Sequence, residues 1–315
     1  MKQQLILYVL IMGLLSGCQT VGGRTLDISD IEQEASQIVA DDVPVLAQAA
    51  DLIQHENRLS PTGGYTVREL SCERDGLTIK GVAYIPDGIE KAPTVIMSHG
   101  FNGSYASNIE YAETLAEIGI ASYTFDFCGG STDSTSDGSM LEMSVLTEVA
   151  DLIAVIDTIK TLDFVDTDNL FLLGRSQGGF VSALTAAQRA DDIQGMVLFY
   201  PAFVIQTMVR NTYRNTGKLP EQASIMGATI GKRYYEDALK VDAYSDIQGY
   251  TRDVLIIHGD KDSVVPLSYS EDAARAYASA ELIVLEGAGH GFYGEDASQA
   301  INAVIGYTKQ HLHAE

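Results

Sequence analysis

Leu170-Phe171-Leu172-Leu173-Gly174-Arg175-Ser176-Gln177-Gly178-Gly179 sets a short apolar run directly against a serine framed by glycines. An unbroken apolar run of this length reads as a strand buried on both faces, and the apolar spacing from Gly179 to Arg189 reads as a helix. Gly-x-Ser-x-Gly between a strand and a helix is a sharp turn that strains the serine backbone, and only small flanking residues leave room for it. The turn exposes the Ser176 hydroxyl at the end of the sheet. The helix that follows aims its unpaired amino-terminal N–H groups at the same place.

Outward from this turn the same alternation repeats. Apolar runs at Thr94–Met97, Ile120–Phe125, Met196–Phe199, Val254–Ile257 and Leu282–Leu285 predict further buried strands. Helical spacing lies between them at Asn108–Glu117, Glu142–Thr161, Ser268–Ala278 and Glu295–Lys309. Such alternation implies a mostly parallel sheet covered on both faces, with chemistry in the loops after each strand. Alternating patterns at Tyr65–Glu73 and Leu77–Ile85 predict an antiparallel pair turning at Asp75-Gly76. The catalytic domain is therefore expected over residues 65–315. About fifty residues, Ala202 to Tyr250, separate two strands that far fewer could join, which predicts a small cap insertion at 202–250.

A serine hydroxyl needs a base. Of the six histidines, His55 precedes the domain and His311 and His313 end the chain, leaving His99, His258 and His290. His290 lies in a glycine-rich loop, Gly287-Ala288-Gly289-His290-Gly291, directly after the last predicted strand. An imidazole there needs a carboxylate to fix its tautomer. Two acids follow the strand ending at Ile257: Asp260 is close enough to close a turn, while Asp262 stands farther out before Val264-Val265-Pro266. Asp262 is therefore assigned as the acid. The order Ser176, Asp262, His290 is that of the α/β-hydrolase fold and differs from the chymotrypsin and subtilisin orders. Attack on a carbonyl also needs two fixed N–H donors. One is assigned to Gln177 and the other to Phe101, after Ser98-His99-Gly100, where a glycine lets the backbone turn toward the serine. His99 and His258 are read as structural hydrogen-bonding residues.

The residues at 99–101 (His-Gly-Phe), 174–179 (Gly-x-Ser-Gln-Gly-Gly), 262–266 and 287–290 (Gly-x-Gly-His), with a cap in the same place, resemble the cinnamoyl and feruloyl esterases of the α/β-hydrolase superfamily. The resemblance runs from about Tyr65 to the carboxyl terminus. It implies a triad of Ser176, Asp262 and His290, oxyanion donors at Phe101 and Gln177, and hydrolysis of hydroxycinnamoyl esters without a metal or cofactor. Arg175 departs from the pattern, since many relatives carry His there. Short-chain acyl esterase, acylglycerol lipase and thioesterase activity fit the same residues. A peptidase of the prolyl-oligopeptidase type shares the order but usually carries a propeller that the residues before Tyr65 are too few to form. A noncatalytic binding lipoprotein would predict a damaged triad, and no member is missing here.

Composition narrows the partners. The 315 residues are 46% apolar and carry a formal charge of -23, which excludes a nonspecific grip on nucleic acid. A small-molecule ester remains the expected partner, and nothing in the sequence fixes an oligomeric state. The first residues form a secretory-type signal, with an apolar run from Leu5 to Leu15 that is short for a membrane span. Leu15-Ser16-Gly17-Cys18 resembles a bacterial lipobox, so residues 1–17 are expected to be removed and Cys18 lipidated. This implies a protein anchored by lipid in the bacterial cell envelope, outside the cytoplasm, with residues 18–64 as a tether and a helical segment. Cys72 and Cys128 then remain, too few for a disulfide framework and without metal-ligand spacing; they read as small buried apolar residues.

Overall fold

A computed structural model describes residues 63–313, together with the short antiparallel pairing of Thr20–Val21 with Arg24–Thr25. The chain divides into two units, Met1–Gln54 and His55–Glu315. The expected signal at 1–17, the expected lipidation site at Cys18 and most of the expected tether at 18–64 lie outside the described residues.

The centre of the second unit is an eight-stranded sheet. The strands are β1 (Tyr65–Arg74), β2 (Leu77–Pro86), β3 (Ala92–Ser98), β4 (Ala121–Phe125), β5 (Val165–Arg175), β6 (Gly195–Phe199), β9 (Val254–Gly259) and β10 (Ala280–Leu285), where β7 (Gln222–Ile225) and β8 (Ala228–Gly231) form a separate hairpin. In space they run β10-β9-β6-β5-β3-β4-β2-β1. β1 and β2 pair antiparallel, and so do β2 and β4; every other neighbouring pair is parallel. The β1–β2 turn is made by Asp75 and Gly76, both at positive φ (51° and 80°), the geometry that suits the twist of a hairpin. This is the α/β-hydrolase fold expected from the alternating pattern.

The strand residues are apolar on both faces because both faces are covered. Along β5, Leu170 and Leu172 join one core with α2 (Val145–Ile159) and α3 (Gln177–Gln188), while Phe171 and Leu173 join a second core with α1 (Ile109–Glu117) and α8 (Glu295–Gln310). The same alternation holds for Met196 against Val197 and for Ile256 against Leu255. At about 25 cal/mol per Å² of apolar surface removed from water, these two layers are the main force holding the sheet. Each core depends on strand register, because a one-residue slip would exchange the two sets of side chains.

Element ends follow local chemistry. The second long helix begins at Val145 rather than Glu142, because Ser144 caps it: its hydroxyl accepts from the Thr147 N–H, while the Thr147 hydroxyl accepts from the Ser144 N–H. β5 reaches back to Val165, beyond the apolar run, across a register shift opposite Ala92–Thr94. Residues 202–250 fold as α4 (Val204–Thr216), the β7–β8 hairpin, α5 (Lys232–Ala238) and the short α6 (Ala243–Asp246), and α7 (Ser268–Ala276) joins β9 to β10.

Strand order places the site. β3 leads through α1 on one face to β4 on one side, and the chain then returns through α2 on the other face to β5 on the opposite side. The crevice between the carboxyl ends of β3 and β5 is thus the point where chain direction reverses, where ligands bind in open α/β sheets.

Tyr307 of α8 ties this frame together far from the crevice. Its hydroxyl accepts from the Met196 N–H on β6 and donates to the Asp253 carbonyl beside β9. Tyr307→Phe strands a buried N–H and is expected to lower unfolding stability by about 1–3 kcal/mol, read as a lower urea midpoint, with the circular dichroism spectrum at 25 °C unchanged.

Candidate active site

Ser176 sits at φ 51°, ψ −117°, between the last residue of β5 and the first of α3. A non-glycine residue there costs on the order of 1–3 kcal/mol, and surrounding bonds hold it in place. The Ser176 N–H donates to Phe199 O, and its carbonyl accepts from Ala202 N–H, both at 2.9 Å. The glycines are explained by close approach. A Cβ on Gly178 would lie 2.2 Å from the His99 carbonyl oxygen, so α3 could not seat against the loop after β3. A Cβ on Gly100 would lie 3.1 Å from Ser176 Cβ, so the backbone of that loop runs directly beside the serine.

The three residues selected from the sequence meet. His290 Nε2 lies 3.0 Å from Ser176 Oγ, and His290 Nδ1 lies 2.7 Å from Asp262 Oδ2. Because the carboxylate can only accept, the ring proton belongs on Nδ1, which leaves the Nε2 lone pair to receive the serine proton. The Asp262 side chain is fully buried. Its Oδ1 accepts from the Val264 and Val265 N–H groups, each at 2.8 Å, and its Oδ2 also lies 3.2 Å from His258 Nε2. Burial alone would raise the pKa of Asp262, but the hydrogen bonds from His258, His290, Val265 and Val264 outweigh it and hold the carboxyl well below its ordinary range. The folded protein therefore binds this proton less tightly than the unfolded chain does. The stability it contributes is complete at neutral pH and fades only as pH falls below the ordinary carboxylate range.

Asp260, the competing acid, does close a turn. Its Oδ1 accepts from the Gly287 N–H at 2.6 Å, and the neighbouring Lys261 N–H donates to Ala288 O, so the Asp262 loop and the His290 loop are laced together. His258 is buried, with Nδ1 2.7 Å from the Ser270 hydroxyl and Nε2 2.9 Å from Val265 O. It is structural in the sense expected, yet what it braces is Asp262.

Gln177 is the first residue of α3, so its N–H has no acceptor within the helix. The loop carrying Phe101 is fixed by its neighbours. His99 Nδ1 lies 2.7 Å from Gly100 O, and its Nε2 accepts from Phe127 N–H. The buried Asp126 carboxylate accepts from Tyr105 N–H on one side and from the N–H and hydroxyl of Thr135 on the other. A segment after β4 thus braces the loop after β3, which nothing in the sequence announced.

Two further residues shape the site. The Tyr200 ring lies 4.6 Å from the His290 ring, and Phe292 packs against both Tyr200 and Phe199. Arg175 donates to the Tyr200 hydroxyl and to Ser107 O, with its guanidinium 5.5 Å from the Tyr111 ring. The departure at 175 therefore supports the residue flanking the histidine. Tyr200 follows β6 directly, and its place at a strand's carboxyl end was the available signal. Cys72 and Cys128 are free and buried, and burial pushes the Cys128 thiol up to about 12, so it is no nucleophile at neutral pH.

Comparison with known proteins adds three findings. A family model described as serine aminopeptidase, S33, matches residues 90–249, and one described as TAP-like protein matches 236–310. Among curated sequences, the chain is 30% identical over 126 residues to an uncharacterized 31.7 kDa protein of Escherichia coli, covering 39% of this chain and 43% of that one. It is 33% identical over 117 residues to the monoglyceride lipase of Mus musculus, covering 37% of each chain. The chain thus spans less than half the length of these curated relatives. Among solved structures, Est1E from Butyrivibrio proteoclasticus with ferulic acid bound aligns with TM-score 0.71 and 27% identity over 77% of this chain and 98% of that one.

Asp262→Asn preserves the volume but removes the charge and the preference for the Nδ1–H tautomer. It is expected to lower kcat/KM on a p-nitrophenyl ester by about 10³–10⁴-fold, while circular dichroism at neutral pH stays that of the parent.

Proposed function

The chain belongs to the hydrolase family described as serine aminopeptidase, S33, and on that premise we propose that it is a serine carboxylic ester hydrolase working through an acyl-enzyme. The observation that carries this reading is the hydrogen-bonded series Ser176 Oγ, His290 Nε2, His290 Nδ1, Asp262 Oδ2. In the proposed reaction Ser176 Oγ attacks the ester carbonyl carbon while its proton passes to His290 Nε2. The new oxyanion is held by the N–H groups of Phe101 and Gln177. The carbonyl re-forms as the alkoxy C–O bond breaks, and His290 returns the proton to the departing alcohol. Water then enters, gives a proton to His290 and attacks the acyl carbon, and the acid leaves as Oγ recovers the proton. Asp262 stays ionised and steadies the imidazolium in both halves.

For substrate class we propose aryl or hydroxycinnamoyl esters. Support comes from the likeness to Est1E with ferulic acid bound, which covers 98% of that chain and 77% of this one, and from the aromatic ring of Phe101, which meets the Tyr234 ring on α5 at 6.1 Å. A monoacylglycerol is the second reading, favoured by the identity to monoglyceride lipase. The family description includes amide hydrolysis, which the same residues can perform when the leaving amine is protonated by His290. We further propose that the mature chain is held at a membrane of the cell envelope by lipid on Cys18, on the strength of the Leu15–Cys18 motif.

Turnover of methyl ferulate, p-nitrophenyl butyrate, a monoacylglycerol and an aminoacyl-arylamide by the purified chain separates these readings. Methyl ferulate is expected to give the highest kcat/KM, and a fluorophosphonate probe is expected to label the chain but not Ser176→Ala. Faster turnover of the arylamide than of every ester would overturn the ester reading; labelling that persists in Ser176→Ala would overturn the nucleophile.

A further inference from the structure

Gln177 bears one of the two proposed oxyanion donors on its backbone, and its side chain is held at both ends. The amide Nε2 donates to Glu148 Oε2 at 2.9 Å, and Oε1 accepts from the Tyr234 hydroxyl at 2.8 Å. Glu148 lies in the first turn of α2, Tyr234 on α5 within the 202–250 interval, and Gln177 at the start of α3. All three are buried, with exposures of 1%, 2% and 1% respectively. Among the described residues Glu148 makes no ion pair. Burial pushes its carboxyl well above the ordinary range, the Gln177 hydrogen bond opposing and Asp151 adding to the shift.

A buried acid without a cation is costly. What the acid does determine is the orientation of the Gln177 amide. With Nε2 committed to Glu148, Oε1 must face the Tyr234 hydroxyl, and a Gln177 side chain pinned at both ends leaves its Cα, and therefore its N–H, little freedom. The Tyr234 ring meets the Phe101 ring edge to face at 6.1 Å, so one tyrosine touches both residues whose N–H groups would receive the oxyanion.

We propose that Glu148 and Tyr234 are positioning residues of the oxyanion hole, clamping Gln177 and, through the Tyr234 ring, Phe101, so that α5 and the turn at Ser176 hold the donors in place before substrate arrives. This rests on the ester-hydrolase reading above. Neither residue touches the reacting atoms. Their contribution lies in donor alignment, which matters more to the tetrahedral state than to the bound ester.

The test uses the full chain with p-nitrophenyl butyrate and an alkylboronic acid, which forms a tetrahedral adduct on an active serine. Tyr234→Phe keeps the ring and removes the hydroxyl. Removing a donor outright costs 10²–10³-fold in comparable sites, and tilting one is expected to lower kcat by about tenfold with KM within about twofold. Boronate affinity should weaken by a similar factor. Glu148→Leu should behave alike, and Glu148→Gln, whose carbonyl can still accept from Gln177, should recover most of the loss. An active parent whose kcat is unmoved by Tyr234→Phe, or a variant that raises KM alone, would overturn the clamp; should Glu148→Leu fail to fold, Tyr234→Phe and Glu148→Gln decide. A parent chain that neither turns over esters nor takes the fluorophosphonate would instead sink the ester-hydrolase reading itself.

Discussion

The site depends on a carboxylate kept ionised where water does not reach it. The Asp262 side chain is shielded from solvent, and an unpaired charge there would take up a proton more readily and lose its hold on the imidazole. Two backbone N–H groups on Oδ1 and two histidines on Oδ2 prevent that. With the charge secured, His290 is held in the tautomer that presents a lone pair to Ser176. The strained Ser176 faces a ring nitrogen with a free lone pair because the other ring nitrogen faces a charge.

The fold supplies the convergence through its strand order. Because chain direction reverses between β3 and β5, the loops after those strands face each other across a crevice, and Gly100 runs beside Ser176. The acid and the histidine come from the loops after β9 and β10, which are laced by Asp260 to Gly287 and by Lys261 to Ala288. Strand ends and hydrogen-bonded loops thus hold side chains distant in sequence within hydrogen-bond distance. The interval at 202–250 adds a fifth contributor, since Tyr234 reaches the start of α3.

What the sequence disclosed and what it withheld divide along physical lines. The buried strands were legible because a parallel sheet covered on both faces demands unbroken apolar runs, and Leu170–Leu173 or Val254–Ile257 admit little else. Ser176, Asp262 and His290 were legible because each follows such a run in a fixed order, and the structure brings their side chains together. Glu148 and Tyr234 were not legible. A glutamate in the first turn of a helix reads as a solvated acid, and a tyrosine in an insertion reads as core. Their meaning depends on α2 and α5 packing beside α3, which no local pattern encodes. The β7–β8 hairpin escaped for a similar reason: its turn puts Met226 at φ 45° beside Gly227, and methionine is no signal for a positive φ. Likewise Arg175 stood out in the sequence only as a departure from the family pattern, and nothing local foretold that its guanidinium is engaged by Tyr200, Ser107 and Tyr111.

The central claim is that Ser176 becomes covalently acylated during turnover. Mass spectrometry of the protein quenched in acid during hydrolysis of a slow aryl ester tests it most directly. The account predicts an added mass equal to the acyl group, confined to the peptide that contains Ser176. Steady turnover with no adduct on that peptide, or an adduct on another residue, would contradict it.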